Sequence, residues 1–103
     1  MIKELKSYQR SFLTKKAHSL KPVVMLGKNG ISQQLIQAVM ESLAEHELIK
    51  LKFVAFKEKK TDILQEITAQ TGALLARVIG NIAILYKEHE DPEKRKIHIP
   101  GSH

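Results

Sequence analysis

Cysteine and tryptophan are absent from this 103-residue chain, and proline occurs only three times. Without cysteine there is no disulfide framework, no thiol nucleophile and no cysteine-ligated zinc site, so packing alone must stabilise the fold. Long apolar runs are missing too. None approaches the roughly 18 residues that span a bilayer, and no signal-peptide core opens the chain, so the expectation is a cytoplasmic protein with no membrane contact. At this length a single domain is expected, and 43% hydrophobic residues suffice for one modest core.

What the chain does have is positive charge in one place. The formal net charge is +6. Lys3, Lys6, Arg10, Lys15, Lys16, Lys21 and Lys28 stand against a single acid, Glu4, in the first thirty residues, while acids and bases cancel in the remainder. A one-sided excess makes a field that gathers polyanions, whereas a uniformly basic chain could simply be soluble.

Hydrophobic spacing yields an α-β-α-β-α-β-β order. Leu5, Phe12, Leu13, Ala17 and Leu20 recur at helical intervals over residues 4–20. On that helix Lys3, Lys6 and Arg10 would share one stripe, and Pro22 would end it. Val23 to Leu26 reads as a short buried strand. Ser32 is a candidate N-cap for a second helix carrying Leu35, Ile36, Val39, Met40, Leu43 and Ala44 to about residue 46. The alternation in LIKLKFV (48–54) predicts a strand with Ile49, Leu51 and Phe53 inward and Lys50 and Lys52 on a wet face. KEKK (57–60) reads as a solvated connection. Thr61 would cap a third helix that ends at Gly72, and Gly80-Asn81 would turn a hairpin within residues 73–87. Residues 88–103 read as a charged, partly mobile tail, with Gly101-Ser102-His103 resembling an expression-tag remnant. The fold class expected is α/β, a two-layer sandwich with a four-stranded mixed sheet.

Catalytic patterns fail one by one. His46-Glu47 begins like a zinc-protease motif, but Lys50 stands where the second histidine must be. The five histidines (18, 46, 89, 98 and 103) lack metal-ligand spacing, and His18 reads as a capping or packing residue. Glu45 and Glu47 have no evident base or apolar pocket to tune them. No catalytic residue, metal site or cofactor is assigned, and the protein is read as a non-enzyme.

One stretch remains, LKPVVMLGKNG (20–30). Gly27 and Gly30 flank Lys28 and Asn29 between a strand and a helix start. Glycines let a ligand approach the backbone closely, and the helix N-terminus offers free N–H groups and partial positive charge. KH domains hold single-stranded RNA with the same GXXG arrangement. The spacing matches neither the P-loop nor the dinucleotide fingerprint.

With AHSLKPVVMLGKNGIS (17–32), HELIKLKF (46–53), TGALLARVIGNIAILYK (71–87) and RKIHIP (95–100), the chain resembles the CRM domain, named for chloroplast RNA splicing and ribosome maturation, and within it the stand-alone bacterial, YhbY-type members. The resemblance covers residues 5–100 and implies one CRM-type RNA-binding domain over 1–100. It implies a fold similar to the C-terminal domain of initiation factor three, with sheet order 1-2-4-3 and strand four antiparallel. It also implies action on ribosomal RNA in precursors of the large (50S) subunit.

The site expected is therefore Gly27, Lys28, Asn29 and Gly30 holding phosphates, with Lys6, Arg10, Lys15, Lys16 and Lys21 extending the positive track. Lys50, Lys52 and Arg77 form a candidate second patch on the open sheet face. Tyr8 and Tyr86 are candidates for base stacking, although 5% aromatics cannot build a stacking platform. A monomer with RNA as its partner and no small-molecule substrate is expected. The alternatives are a small adaptor docking on an acidic protein, with RNA incidental, and a hydrolase whose groups only the fold assembles.

Overall fold

A computed structural model describes residues 2–101. Ser102 and His103, two of the three residues that resemble a tag remnant, lie outside the described residues. The elements are α1 (Ser7–Ala17), β1 (Val24–Leu26), α2 (Gln33–His46), β2 (Leu48–Phe53), α3 (Lys60–Thr71), β3 (Leu74–Ile79) and β4 (Ile82–Tyr86), with short 3₁₀ turns at Lys57–Lys59 and Pro92–Lys94. The sheet order is β1-β2-β4-β3, as the family resemblance implies. β1 runs parallel to β2, and β4 is antiparallel to both of its neighbours.

Local chemistry explains most boundaries. Ser32 caps α2, its hydroxyl accepting from the Leu35 N–H at 3.1 Å. Gly72 ends α3 in the left-handed region at φ 77°. Gly80, at φ 58°, is the positive-φ residue of the two-residue β3–β4 turn, while Asn81 keeps a negative φ. Three boundaries move. α1 begins at Ser7, so Lys3 and Lys6 precede it and share no helical stripe with Arg10. Leu20 lies beyond its end and is exposed. α3 opens at Lys60 after a 3₁₀ turn, so Thr61 sits inside the helix rather than at its cap.

The layering is richer than two. Ile49, Leu51 and Phe53 of β2 and Ala83 and Leu85 of β4 pack beneath α2 and α3. On the opposite face Leu48, Ile84 and Tyr86 are equally buried, under Leu13 and Ala17 of α1 and under Leu5 and Ile99. α1 and the C-terminal segment thus add a partial third layer. The wet face expected of β2 exists only at Lys52, which is exposed. Lys50 is half-buried, its Nζ donating to the carbonyls of Leu20 (2.9 Å) and His18 (3.3 Å) just past the end of α1. A cation there complements the helix dipole.

Glu47 ties the C-terminal segment down. Its side chain is 1% exposed. One carboxylate oxygen accepts from the His89 N–H at 2.7 Å, and the other from the N–H groups of Lys96 (2.6 Å) and Ile97 (3.0 Å). The residue also sits at φ 64°, a backbone conformation costly for a side chain with a Cβ. The stretch read as a charged tail is thereby laid against the domain, with Ile99 buried and the Pro100 carbonyl accepting from Gln9 Nε2 at 3.1 Å. What this segment brings to Glu47 is backbone N–H donors rather than the base or apolar pocket that the sequence lacks.

Glu47→Ala strands three amides at once, so a loss of about 3 kcal/mol is expected by chemical denaturation. Glu47→Gly should lose roughly 1 kcal/mol less, because glycine relieves the positive φ. Equal losses would show that the backbone carries no strain there. Tyr86 supplies a second check. Among the described residues its buried hydroxyl has no hydrogen-bond partner, and burial, reinforced by the Glu47 and Glu88 carboxylates and opposed by Arg95, pushes its ionisation above the usual tyrosine range. The folded state therefore keeps a proton that the unfolded chain loses above about pH 10, so stability falls with rising pH there by roughly 1.4 kcal/mol per unit. In Tyr86→Phe that contribution should vanish, with stability at neutral pH unchanged or slightly raised; an unaltered alkaline slope would refute the assignment.

Candidate nucleic-acid interface

β1 lies at one edge of the sheet and delivers the chain directly into Gly27-Lys28-Asn29-Gly30. The Gly30 N–H donates to the Gly27 carbonyl at 3.0 Å and closes a tight turn with Lys28 and Asn29 exposed at its tip. Ile31 then anchors the chain against the core, and Ser32 begins the cap of α2. Among the described residues the N–H groups of Gln33 and Gln34 have no protein partner, so the turn and the helix start together present free donors to solvent.

The two glycines do different work. Gly30 has φ 61°, a conformation that side chains with a Cβ rarely adopt, so the turn itself favours glycine; the Phe56 ring would stand in ordinary contact with a Cβ there, at 3.5 Å. Gly27 has no positive φ, and a Cβ would meet nothing within 4 Å. The fold does not ask for glycine at 27. A bare backbone at that position leaves room for something that comes from outside.

Beside the turn, a cleft of about 410 Å³ runs along β1, with Val23, Met25, Gly27 to Gly30, Ser32, Gln34 and Ala38 on its walls. Val23 and Met25 are 52% and 53% exposed, so β1 is a half-wet edge strand rather than the buried one expected. Phe56 is the exposed aromatic against the turn, held at φ 55°. Sequence reasoning passed over it, because only the fold brings the β2–α3 connection alongside Gly30. A larger cleft, about 910 Å³, adjoins this one at Ser32, Gln34 and Ala38 and runs on between α2 and α3; among the described residues it holds Glu41 and Glu66 but no lysine or arginine. A polyanion would be repelled there.

The remaining basic candidates divide. Lys15, Lys16 and Lys21 are exposed near the C-terminal end of α1, with Lys16 Nζ 5.7 Å from the centroid of the Phe12 ring. Lys6 is exposed at the N-cap of α1. Arg10 turns back to donate to the Leu5 carbonyl at 2.7 Å. In the candidate second patch, Lys52 and Arg77 are exposed while Lys50 is held at the end of α1 by the Leu20 carbonyl. Tyr86 is fully buried and cannot stack on a base; Tyr8 is 50% exposed. Among the described residues no three histidine, aspartate or glutamate side chains gather in a metal-holding group.

A glycine turn between an edge strand and a capped helix, on a mixed 1-2-4-3 sheet, defines a class that comparison with known proteins makes specific. Residues 5–87 match the CRS1/YhbY (CRM) domain family, and the chain belongs to that family. A Haemophilus influenzae protein named "RNA-binding protein" is 39% identical over 93% of this chain and 95% of its own length. A Bacillus subtilis protein named "Probable RNA-binding protein YqeI" is 34% identical over 89% of this chain and 95% of its own. The solution structure of SAV1595 from Staphylococcus aureus superposes with a TM-score of 0.76 at 25% identity, covering 91% of this chain and 99% of that one.

The glycine contrast is testable without any ligand. Gly30→Ala should destabilise the protein by about 1 kcal/mol through the left-handed backbone it forces on alanine. Gly27→Ala should be neutral or stabilising by roughly 0.5 kcal/mol through the unfolded state. Thermal denaturation of both variants decides, and equal losses would remove the distinction.

Proposed function

We propose that this protein binds RNA without catalysis, and that its target is ribosomal RNA in precursors of the large subunit during ribosome assembly. The Gly27–Gly30 backbone and the free N–H groups at the start of α2 take phosphates, Lys28 adds a full charge, and Asn29 adds a donor and an acceptor. Lys15, Lys16 and Lys21 prolong the positive track, with Lys6 and Arg10 at its far end. The protein acts as a cytoplasmic monomer, needs no cofactor and turns over no small molecule.

The observation that carries this reading is Gly27, a glycine that neither backbone geometry nor packing requires, in an exposed cationic turn. Close approach of a sugar-phosphate strand is what such a position admits. Family membership and the relatives named for RNA binding support the same partner.

Replacing Lys28 and Asn29 together by alanine should lower affinity for a labelled single-stranded RNA by roughly tenfold and reduce the log–log salt slope by about 1. The thermal midpoint should stay put, since neither side chain supports the core. Unchanged affinity would remove the turn from the site. In cells, crosslinking followed by sequencing of the attached RNA should return large-subunit precursors; enrichment of unrelated transcripts would overturn that target. A pull-down partner that survives nuclease treatment would favour a protein adaptor instead.

A further inference from the structure

The family match ends at residue 87, yet a buried carboxylate on a positive-φ backbone, Glu47, fixes the C-terminal segment beyond it. The amides of Lys96 and Ile97 both bond to the same Glu47 oxygen, which sets the direction of the chain at that point. There Lys96 joins Lys16, Lys21 and His46 around a second cleft, of about 320 Å³. Its floor is apolar, from Leu20, Val23 and Ile97, and among the described residues no carboxylate lines it. The volume suits a nucleoside-sized group, and the lining suits one that is flat, half apolar and attached to an anion. Val23 lines both this cleft and the one beside the glycine turn, so the two adjoin at that residue on the edge of the sheet.

We infer that the C-terminal segment completes the RNA site: a single strand leaving the Gly27–Gly30 turn runs along the β1 edge past Val23, and its next nucleotide enters the cleft under Lys96. Lys16, Lys21 and Lys96 hold the phosphate, while Leu20, Val23 and Ile97 take the sugar and base. Glu47 is a positioning residue in this arrangement; it fixes Lys96 without touching RNA. The inference rests on the proposed RNA binding but adds residues that the turn does not include.

The experiment measures anisotropy of a labelled single-stranded RNA over a salt series for four proteins: wild type, Lys96→Ala, Lys94→Ala and the Lys28/Asn29 double alanine variant. Lys94 is exposed on the neighbouring 3₁₀ turn and does not line the cleft. Lys96→Ala keeps the amide that bonds Glu47, so its melting temperature should be unchanged. Its affinity should fall about fivefold, with a salt slope lower by about 1, while Lys94→Ala should move affinity less than about twofold. Loss in the turn variant without loss in Lys96→Ala overturns the cleft and leaves the turn standing. Loss in Lys96→Ala alone supports the cleft and removes the turn. Equal losses for Lys94→Ala and Lys96→Ala would mean net charge only and would overturn the cleft. So would an equal loss for Lys96→Ala in binding polyglutamate, an acidic polymer without bases.

Discussion

The constraint on which this structure depends is that its central sheet buries apolar side chains on both faces. β2 and β4 bury Leu51, Phe53 and Leu85 on one side and Leu48, Ile84 and Tyr86 on the other. A sheet of that kind cannot leave either face to water, because each such side chain contributes about 1.5–3 kcal/mol only when covered. α2 and α3 cover one side. α1 alone is too short to cover the other, and Leu5, Ile97 and Ile99 extend its cover from both ends of the chain. The edge strands inherit the remaining exposure. β1 has a buried side in Val24 and Leu26 and an open side at Met25, with exposed Val23 just before it, and it is this half-open edge that feeds the glycine turn.

Much of this was legible in the sequence, for reasons that can be named. Ser32, Gly72 and Gly80-Asn81 announce their structures because capping and turn chemistry are local. The IAILY run of β4 also carried a readable signal: continuous apolarity rather than alternation marks a strand buried on both faces. The neighbouring LIKLKF pattern, with its lysines, pointed the other way, since nothing local shows that Lys50 would reach the end of α1. The strand order was legible only through family likeness. Glu47 was illegible as a latch. Its partners are amides 42 to 50 residues away, and no side-chain pattern records an amide. KIHI, by contrast, does alternate, and Ile97 and Ile99 could have been read as inward-facing.

The candidate site divides in the same way. The spacing of Gly27 and Gly30 is visible in one dimension, but their difference is not: only coordinates show that one glycine serves the turn and the other serves nothing in the fold. Grouping the lysines of the first thirty residues treated nearness in sequence as nearness in space. α1 begins too late to align Lys3 and Lys6 with Arg10, and the cations that collect near the β1 edge are the later set, Lys16, Lys21 and Lys28.

Formal charge bookkeeping misleads about the rest of the chain as well. Residues after 30 are neutral in sum, which suggests that they add nothing to a polyanion site. Several of their acids are committed or line another cleft, however, while the exposed Glu45 carboxylate lies 3.9 Å from His46 Nε2. Glu47 is buried under three amides, Glu88 faces Arg95 at 3.6 Å, and Asp91 accepts from the Glu93 N–H. Glu41 and Glu66 sit in the other cleft, between α2 and α3. Lys96 is left exposed beside Lys16 and Lys21, in a cleft that no carboxylate of the described residues lines. Within a Debye length of about 10 Å, a phosphate at the β1 edge responds to the charges near it rather than to the sum over the chain. A segment that is neutral on paper can therefore strengthen the field where it touches the site.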